Sequence, residues 1–193
     1  MIFVPSILAF GVIVAAYVNL GAKLAALRHD GVLKRIRTTP LPASAYLTGV
    51  FGSTAATTLA ITACTAVIGW LAFGAVPRAA GLPEIAGGLF LGVVCFGSLG
   101  LALSSVARSA ESASPIANAS YLPVAIMSGI FDPTFSVPRW LSAAVGLLPV
   151  RALAQILQQG YTPVEHAPLT DLLVLAGWSA IGCALAAWRF RWH

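Results

Sequence analysis

No charged residue occurs between Met1 and Gly21, and the run Ile2 to Leu20 is long and apolar enough to cross a membrane as a helix. The pattern breaks from Ala22 to Ser44, where Lys23, Arg28, His29, Asp30, Lys34, Arg35 and Arg37 are followed by Pro40 and Pro42. Ala45 to Val76 is again free of charge, which predicts a long or tilted helix over 46–73. A turn containing Pro77, Arg78, Gly81 and Pro83 leads to a third apolar run, 85–106, in which Gly88 and Gly92 have the small-xxx-small spacing that lets helices approach closely. Arg108 and Glu111 mark a second polar loop. Ser114 and Pro115 then supply helix-start residues for a fourth run, 115–130, with Pro123 expected to bend it by removing a backbone donor. The stretch Trp140 to Val150 is apolar for only 11 residues and is flanked by Pro138, Arg139 and Arg151. It is too short to span, so 133–160 reads as a re-entrant or interfacial segment before a last run, 171–188. The expectation is an all-α polytopic membrane bundle of five spans with a re-entrant segment between the last two.

Composition supports this reading. The 193 residues are 59% hydrophobic and 9% charged, against about 25% charged in an ordinary globular chain, so most of the exterior must face lipid. The formal charge of +5 does not imply nucleic acid, because the basic residues sit in short segments between apolar runs. With five spans, one face holds Lys23, Arg28, Lys34, Arg35, Arg37, Arg108, Arg189 and Arg191, and the other only Arg78, Arg139 and Arg151. The richer face is expected to be cytoplasmic, which puts the N-terminus outside. Cys64, Cys95 and Cys183 lie singly in separate apolar runs, without metal-ligand spacing, and read as small apolar fillers.

Enzymatic signatures are absent: the sequence has no H-E-x-x-H, no G-x-S-x-G and no phosphate-binding G-x-x-x-x-G-K-[ST]. Any ATP must therefore be bound by a partner. No Asp, Glu, Lys or Arg stands at the centre of a span, which argues against a proton relay or voltage sensor. Asn118 inside the fourth run is either interhelical glue or part of a transport path. In the first polar loop, 22–44, Asp30 can cap a short helix from Gly31 to Arg37, with Val32, Leu33 and Ile36 on one face and Pro40 as its stop. Such a helix has the shape to receive a push from a partner, while basic loops also serve simply to fix topology.

Two segments carry a family resemblance. The first is Arg28-His29-Asp30-Gly31-Val32-Leu33-Lys34-Arg35-Ile36-Arg37-Thr38-Thr39-Pro40-Leu41-Pro42. The second runs from Ala107-Arg108 and Glu111 through Ser114-Pro115-Ile116-Ala117-Asn118, Leu122-Pro123, Ser128-Gly129-Ile130-Phe131, Pro133, Pro138-Arg139-Trp140 and Leu148-Pro149-Val150. Together they resemble ABC type-2 exporter permeases, the group that includes the daunorubicin-resistance permeases. The resemblance implies a single transmembrane permease domain over 1–193 of a multi-pass protein of the bacterial cytoplasmic membrane. It further implies a drug-resistance-type efflux path shared with a second permease, as homodimer or heterodimer, surrounded by membrane lipid. The chain itself would hold no cofactor, since ATP and Mg belong to a separate ATP-binding-cassette subunit.

By the same resemblance Arg28, Asp30, Gly31, Leu33, Lys34, Arg35, Arg37 and Pro40 couple to that ATPase, and Arg108 and Glu111 form the second cytoplasmic loop. Asn118 and Pro123 would serve the path or helix packing, and Ser128, Gly129, Phe131, Pro133, Pro138 and Trp140 the outer gate. The uncharged runs favour hydrophobic or amphipathic cargo: a drug, lipid, polyketide or glycan. Family members have six spans and an amphipathic N-terminal helix, and this sequence corresponds to them from the second span onward, so a truncated permease is one expectation. A non-transporting accessory or assembly protein is the other reading these helices allow, whereas a membrane enzyme would need clustered polar residues at one depth.

Overall fold

The computed structural model describes residues 3–29, 43–105, 107, 110–129, 144–162 and 168–189. Among these residues the regular structure is helical. Helix α1 runs Phe3–His29, with a π-helical segment, Val14–Asn19, between two α-helical stretches. Helix α2 is Ala43–Phe73, followed by a 3-10 turn, Ala79–Gly81, that leads into α3, Leu82–Ser104. Helix α4 is Ala110–Met127, α5 is Pro149–Tyr161 and α6 is Pro168–Arg189.

Each boundary has a local cause. Gly74, at φ +63°, takes a left-handed conformation that breaks α2, and its N–H bonds back to the Trp70 carbonyl at 2.9 Å. Pro83 stands in the first turn of α3 and Pro149 in the first turn of α5, where a missing N–H costs nothing. Gly129, at φ +68°, ends the turn after α4. Pro115 and Pro123 lie inside α4, the latter removing the donor that would reach Ala119.

Among the described residues, four helices are long and apolar enough to cross a membrane: Phe3–His29, Thr48–Phe73, Ala79–Ser104 and Leu169–Ala186. At 1.5 Å per residue, the first is about 40 Å long. Helix α4 covers most of the fourth apolar run but is not among them, since its 18 residues include Glu111, Ser112, Ser114, Asn118 and Ser120. The outward faces are apolar. Leu59, Ile68, Trp70, Leu71 and Phe73 on α2, Phe90 on α3, and Leu173, Ile181 and Trp188 on α6 are all exposed, as lipid-facing surface requires.

The most extensive packing is between α3 and α6, which run parallel, with Gly182 against Ser98. Helices α1 and α3 also run parallel, with Gly100 against the carbonyls of Ala16 and Tyr17. Helix α5 sits between α1, α3 and α6, antiparallel to α3, and buries Ala152, Leu153, Ile156 and Leu157 completely. Its seat is the glycine face of α3: Leu153 fills the space over Gly92, Ile156 that over Gly88, and Gly160 meets Gly81 backbone to backbone. The Arg78 N–H adds a 2.9 Å bond to the Gly160 carbonyl. At 13 residues, or about 20 Å, α5 covers only the half of the bundle nearest Arg78. It carries one polar cost: Gln159 is buried, and its Nε2 has no partner among the described residues.

A Cβ on Gly81 would lie 2.6 Å from both Cα and O of Gly160, where only backbone movement can relieve the clash. Gly81→Ala is therefore expected to destabilise the bundle by about 2 kcal/mol. Gly87→Ala, on the same helix with nothing within 4 Å, should be neutral or stabilising by up to about 1 kcal/mol. Thermal unfolding of the two purified variants in one detergent checks the contrast.

Candidate functional site

Where α5 starts, at mid-depth, the described residues leave the bundle unfilled toward the Arg28 end. A cavity of about 470 Å³ occupies that space, within the range of about 300–1,000 Å³ typical of small-molecule sites. Tyr17 of α1, Phe96 and Leu99 of α3, Tyr121 and Val124 of α4, and Trp178 of α6 form its walls, and Leu148 to Val150 close one end. Helices α4 and α6 stand on opposite sides without extensive packing between them, and the exposed Ser120 and Leu185 mark the rim.

Among the described residues the walls are apolar and aromatic, with one polar spot. The hydroxyls of Tyr17 and Ser120 are 2.8 Å apart. Because the Ser120 hydrogen goes to the Ala117 carbonyl at 2.7 Å, Tyr17 is the donor in this pair. Tyr121 stacks edge-on to Tyr17 with ring centroids 6.4 Å apart, and Phe10 lies 6.0 Å from Tyr121 on its other side. The Trp178 indole N–H donates to the Leu147 carbonyl at 2.8 Å, which fixes that ring against the start of α5. Tyr17 itself sits in the π-helical segment. Single π turns are frequent at functional sites because they re-aim a side chain without ending the helix.

The residues expected from sequence to serve the site are distributed differently. Asn118 and Pro123 are exposed on α4, outside the cavity lining. Ser128 bonds both its N–H and its hydroxyl to the Val124 carbonyl, at 2.9 and 2.7 Å, and Gly129 follows it in the terminating turn. Phe131, Pro133, Pro138 and Trp140 lie outside the described residues, as do Asp30, Gly31, Leu33, Lys34, Arg35, Arg37, Pro40 and Arg108. Glu111 is exposed in the first turn of α4, where a carboxylate suits the helix dipole. Tyr17, Tyr121 and Trp178 were not singled out from sequence. The available signal was a polar aromatic group inside an apolar run, which in hydrocarbon must find a hydrogen-bond partner.

Arg28 has a specific place. In the last turn of α1, its Nη1 donates to the Ser104 carbonyl at the end of α3, 3.1 Å away. A cation there satisfies a carbonyl left over by the helix terminus and matches the helix dipole. It ties the root of the first polar loop to the root of the second, and buried Ala25, Ala107 and Ala113 pack at the same level. Nearby Tyr46, half-buried beside the Leu20 and Leu24 cluster, has its phenol pKa pushed up by burial.

Arg28→Gln is expected to loosen this junction by about 1 kcal/mol, the bond being charge-assisted but partly solvated. Tyr17→Phe should cost a similar amount, about 1 kcal/mol, while leaving Ser120 paired to Ala117. Unfolding midpoints measure both losses, and hydrogen exchange at the end of α3 should rise for the arginine variant alone.

A comparison with curated proteins gives no match. A comparison with protein families matches residues 1–161 to the ABC-2 type transporter family, a span that takes in α1 to α5 and the whole glycine-seated junction. The chain therefore belongs to the ABC-2 type transporter family and is a multi-pass transmembrane component of an ABC transporter.

Proposed function

We propose that the chain is the permease subunit of an exporter in the bacterial cytoplasmic membrane, working with a second copy or a paralogue and with a separate ATPase subunit that binds ATP and Mg. The cavity is the observation that carries this reading: about 470 Å³, aromatic-walled, uncharged among the described residues that line it, and open toward the rim between α4 and α6. Such a chamber accepts a hydrophobic or amphipathic molecule and rejects small ions, which would be stripped of water with no charge to meet them. Drugs, lipids, polyketides and lipid-linked glycans fall within that class, and efflux of such compounds is the resulting activity.

Force enters at the loop after Arg28. Closure of the ATPase subunits displaces the segment containing Asp30, Lys34, Arg35 and Arg37, and the bond from Arg28 to Ser104 passes the displacement to the end of α3. Helix α3 carries α5 on its glycine face and α6 along its length, so movement of α3 changes the cavity's walls together. Tyr17, on a π turn that can revert to α-helix, is the wall residue best placed to change orientation.

The test is a membrane pull-down of the chain, in its full reading frame, with and without Arg35→Glu and Arg37→Glu. Co-purification of an ATP-binding subunit is expected, with ATP hydrolysis weakened or uncoupled by the two charge reversals. Failure of any ATPase to associate would sink the exporter reading and leave an accessory membrane protein in its place.

A further inference from the structure

Helices α1 and α2 run antiparallel, with Gly69 against Val4 and Gly11 against Ile61. Carried toward the Lys23 end, this register sets Asn19 beside Ser53 and Thr54. A second, small cavity of about 100 Å³ lies in the groove there, and its polar wall is Asn19, Lys23, Ser53, Thr54 and Thr57. We propose that it holds the phosphodiester headgroup of an anionic membrane lipid, with the Lys23 ammonium and the Asn19 amide on the phosphate oxygens.

Four observations converge on that ligand. The first is donor supply: Lys23 brings three N–H groups and Asn19 two, and neither has a partner among the described residues. Second, no carboxylate occurs anywhere on α1 or α2, so the charge of Lys23 is not neutralised from either wall. Third, Ser53 and Thr57 are exposed hydroxyls bonded only along their own helix, to Val50 and Ser53 carbonyls at 2.8 and 2.9 Å, and can turn outward to an anion. Thr54 is buried, keeps its 3.0 Å bond to the Val50 carbonyl and forms the floor.

The fourth observation is position, which selects a lipid over a soluble anion. Lys23 is exposed just past the uncharged stretch of α1, within two turns of the end of that span, so its long side chain can carry the ammonium to the headgroup level. The adjoining helix, α2, is the least buried of the four spans found among the described residues, and its exposed Ile61, Ile68 and Leu71 follow Thr57 at helical spacing, so the face above the recess is apolar and suits acyl chains. A 100 Å³ recess admits one phosphate group and is too small for cargo of the size the larger cavity takes. Basic recesses between spanning helices bind lipid headgroups in this way, the lysine serving as a point charge.

Native mass spectrometry of the purified full chain, equilibrated with equal phosphatidylglycerol and phosphatidylcholine, tests it. The expected result is preferential retention of phosphatidylglycerol, reduced about fivefold by Lys23→Gln, as one juxtamembrane charge requires, and preserved by Lys23→Arg. Asn19→Leu combined with Thr57→Val should lower retention with the lysine charge intact. Equal retention of the two lipids by the unmodified chain, or undiminished retention by Lys23→Gln, would overturn the site. Displacement of the bound lipid by millimolar inorganic phosphate would overturn the lipid assignment and make this a soluble-anion site. Since Lys23, Asn19 and Thr57 are exposed, unchanged unfolding midpoints are expected for all variants.

Discussion

The close approach of α5 to the glycine face of α3 is the contact on which the rest of the bundle depends. Between helices in lipid there is little hydrophobic drive, since acyl chains are as apolar as leucine, so association rests on how near the backbones come and how many atoms then touch. Gly81, Gly88 and Gly92 permit that approach on one side of α3, and Gly97 and Gly100 permit it toward Phe51, Leu20 and the π turn of α1. Helix α3 is thus the common wall of the molecule. The contacts of α1 near Arg28 and of α5 near Gly160 both bear on it, since the packed faces on either side share the same backbone.

Much of this arrangement is legible in the sequence because hydrocarbon demands long uncharged runs and helices that satisfy their own backbone. The helices α2, Ala43–Phe73, α3, Leu82–Ser104, and α6, Pro168–Arg189, overlap the apolar runs over 46–73, 85–106 and 171–188, and the Gly88/Gly92 spacing marks a helix contact in both sequence and structure. The partner of that contact was not legible. Nothing about Leu153 or Ile156 as residues announces that they fill the spaces over those glycines, since the pairing joins segments about 60 residues apart. The π segment was equally hidden: Val14–Asn19 has an ordinary helical composition.

The cavity shows the same division. Its contents are set by where α5 begins, and the starting signal, Pro149 in the first turn, is plain in the sequence. The consequence is a matter of depth. A helix that starts level with the middle of α3 leaves the other half of its lane empty, and whichever side chains flank the lane become its lining. Tyr17, Tyr121 and Trp178 acquire a shared role from that geometry, although each stands in a different helix. Asn118, by contrast, attracts notice as an amide in an apolar run, yet its position on α4 places it at the exposed surface rather than in the lining.

Two requirements act on this chamber in opposite directions. A bundle in lipid gains stability by filling every void, as each methylene of empty volume forfeits contacts with its neighbours. Here the void is large and persists beside a helix whose opposite half is packed to full burial at Leu153, Ile156 and Leu157. The firm half anchors the soft one. Because α5 is held by backbone contact at Gly81 and Gly160 and by the Arg78 bond, its free end near Leu148 can border an empty volume without collapsing into it. Trp178 then braces that end through the Leu147 carbonyl. A transport component needs this combination, in which one part of each helix is fixed in register and another faces a space whose occupancy can change.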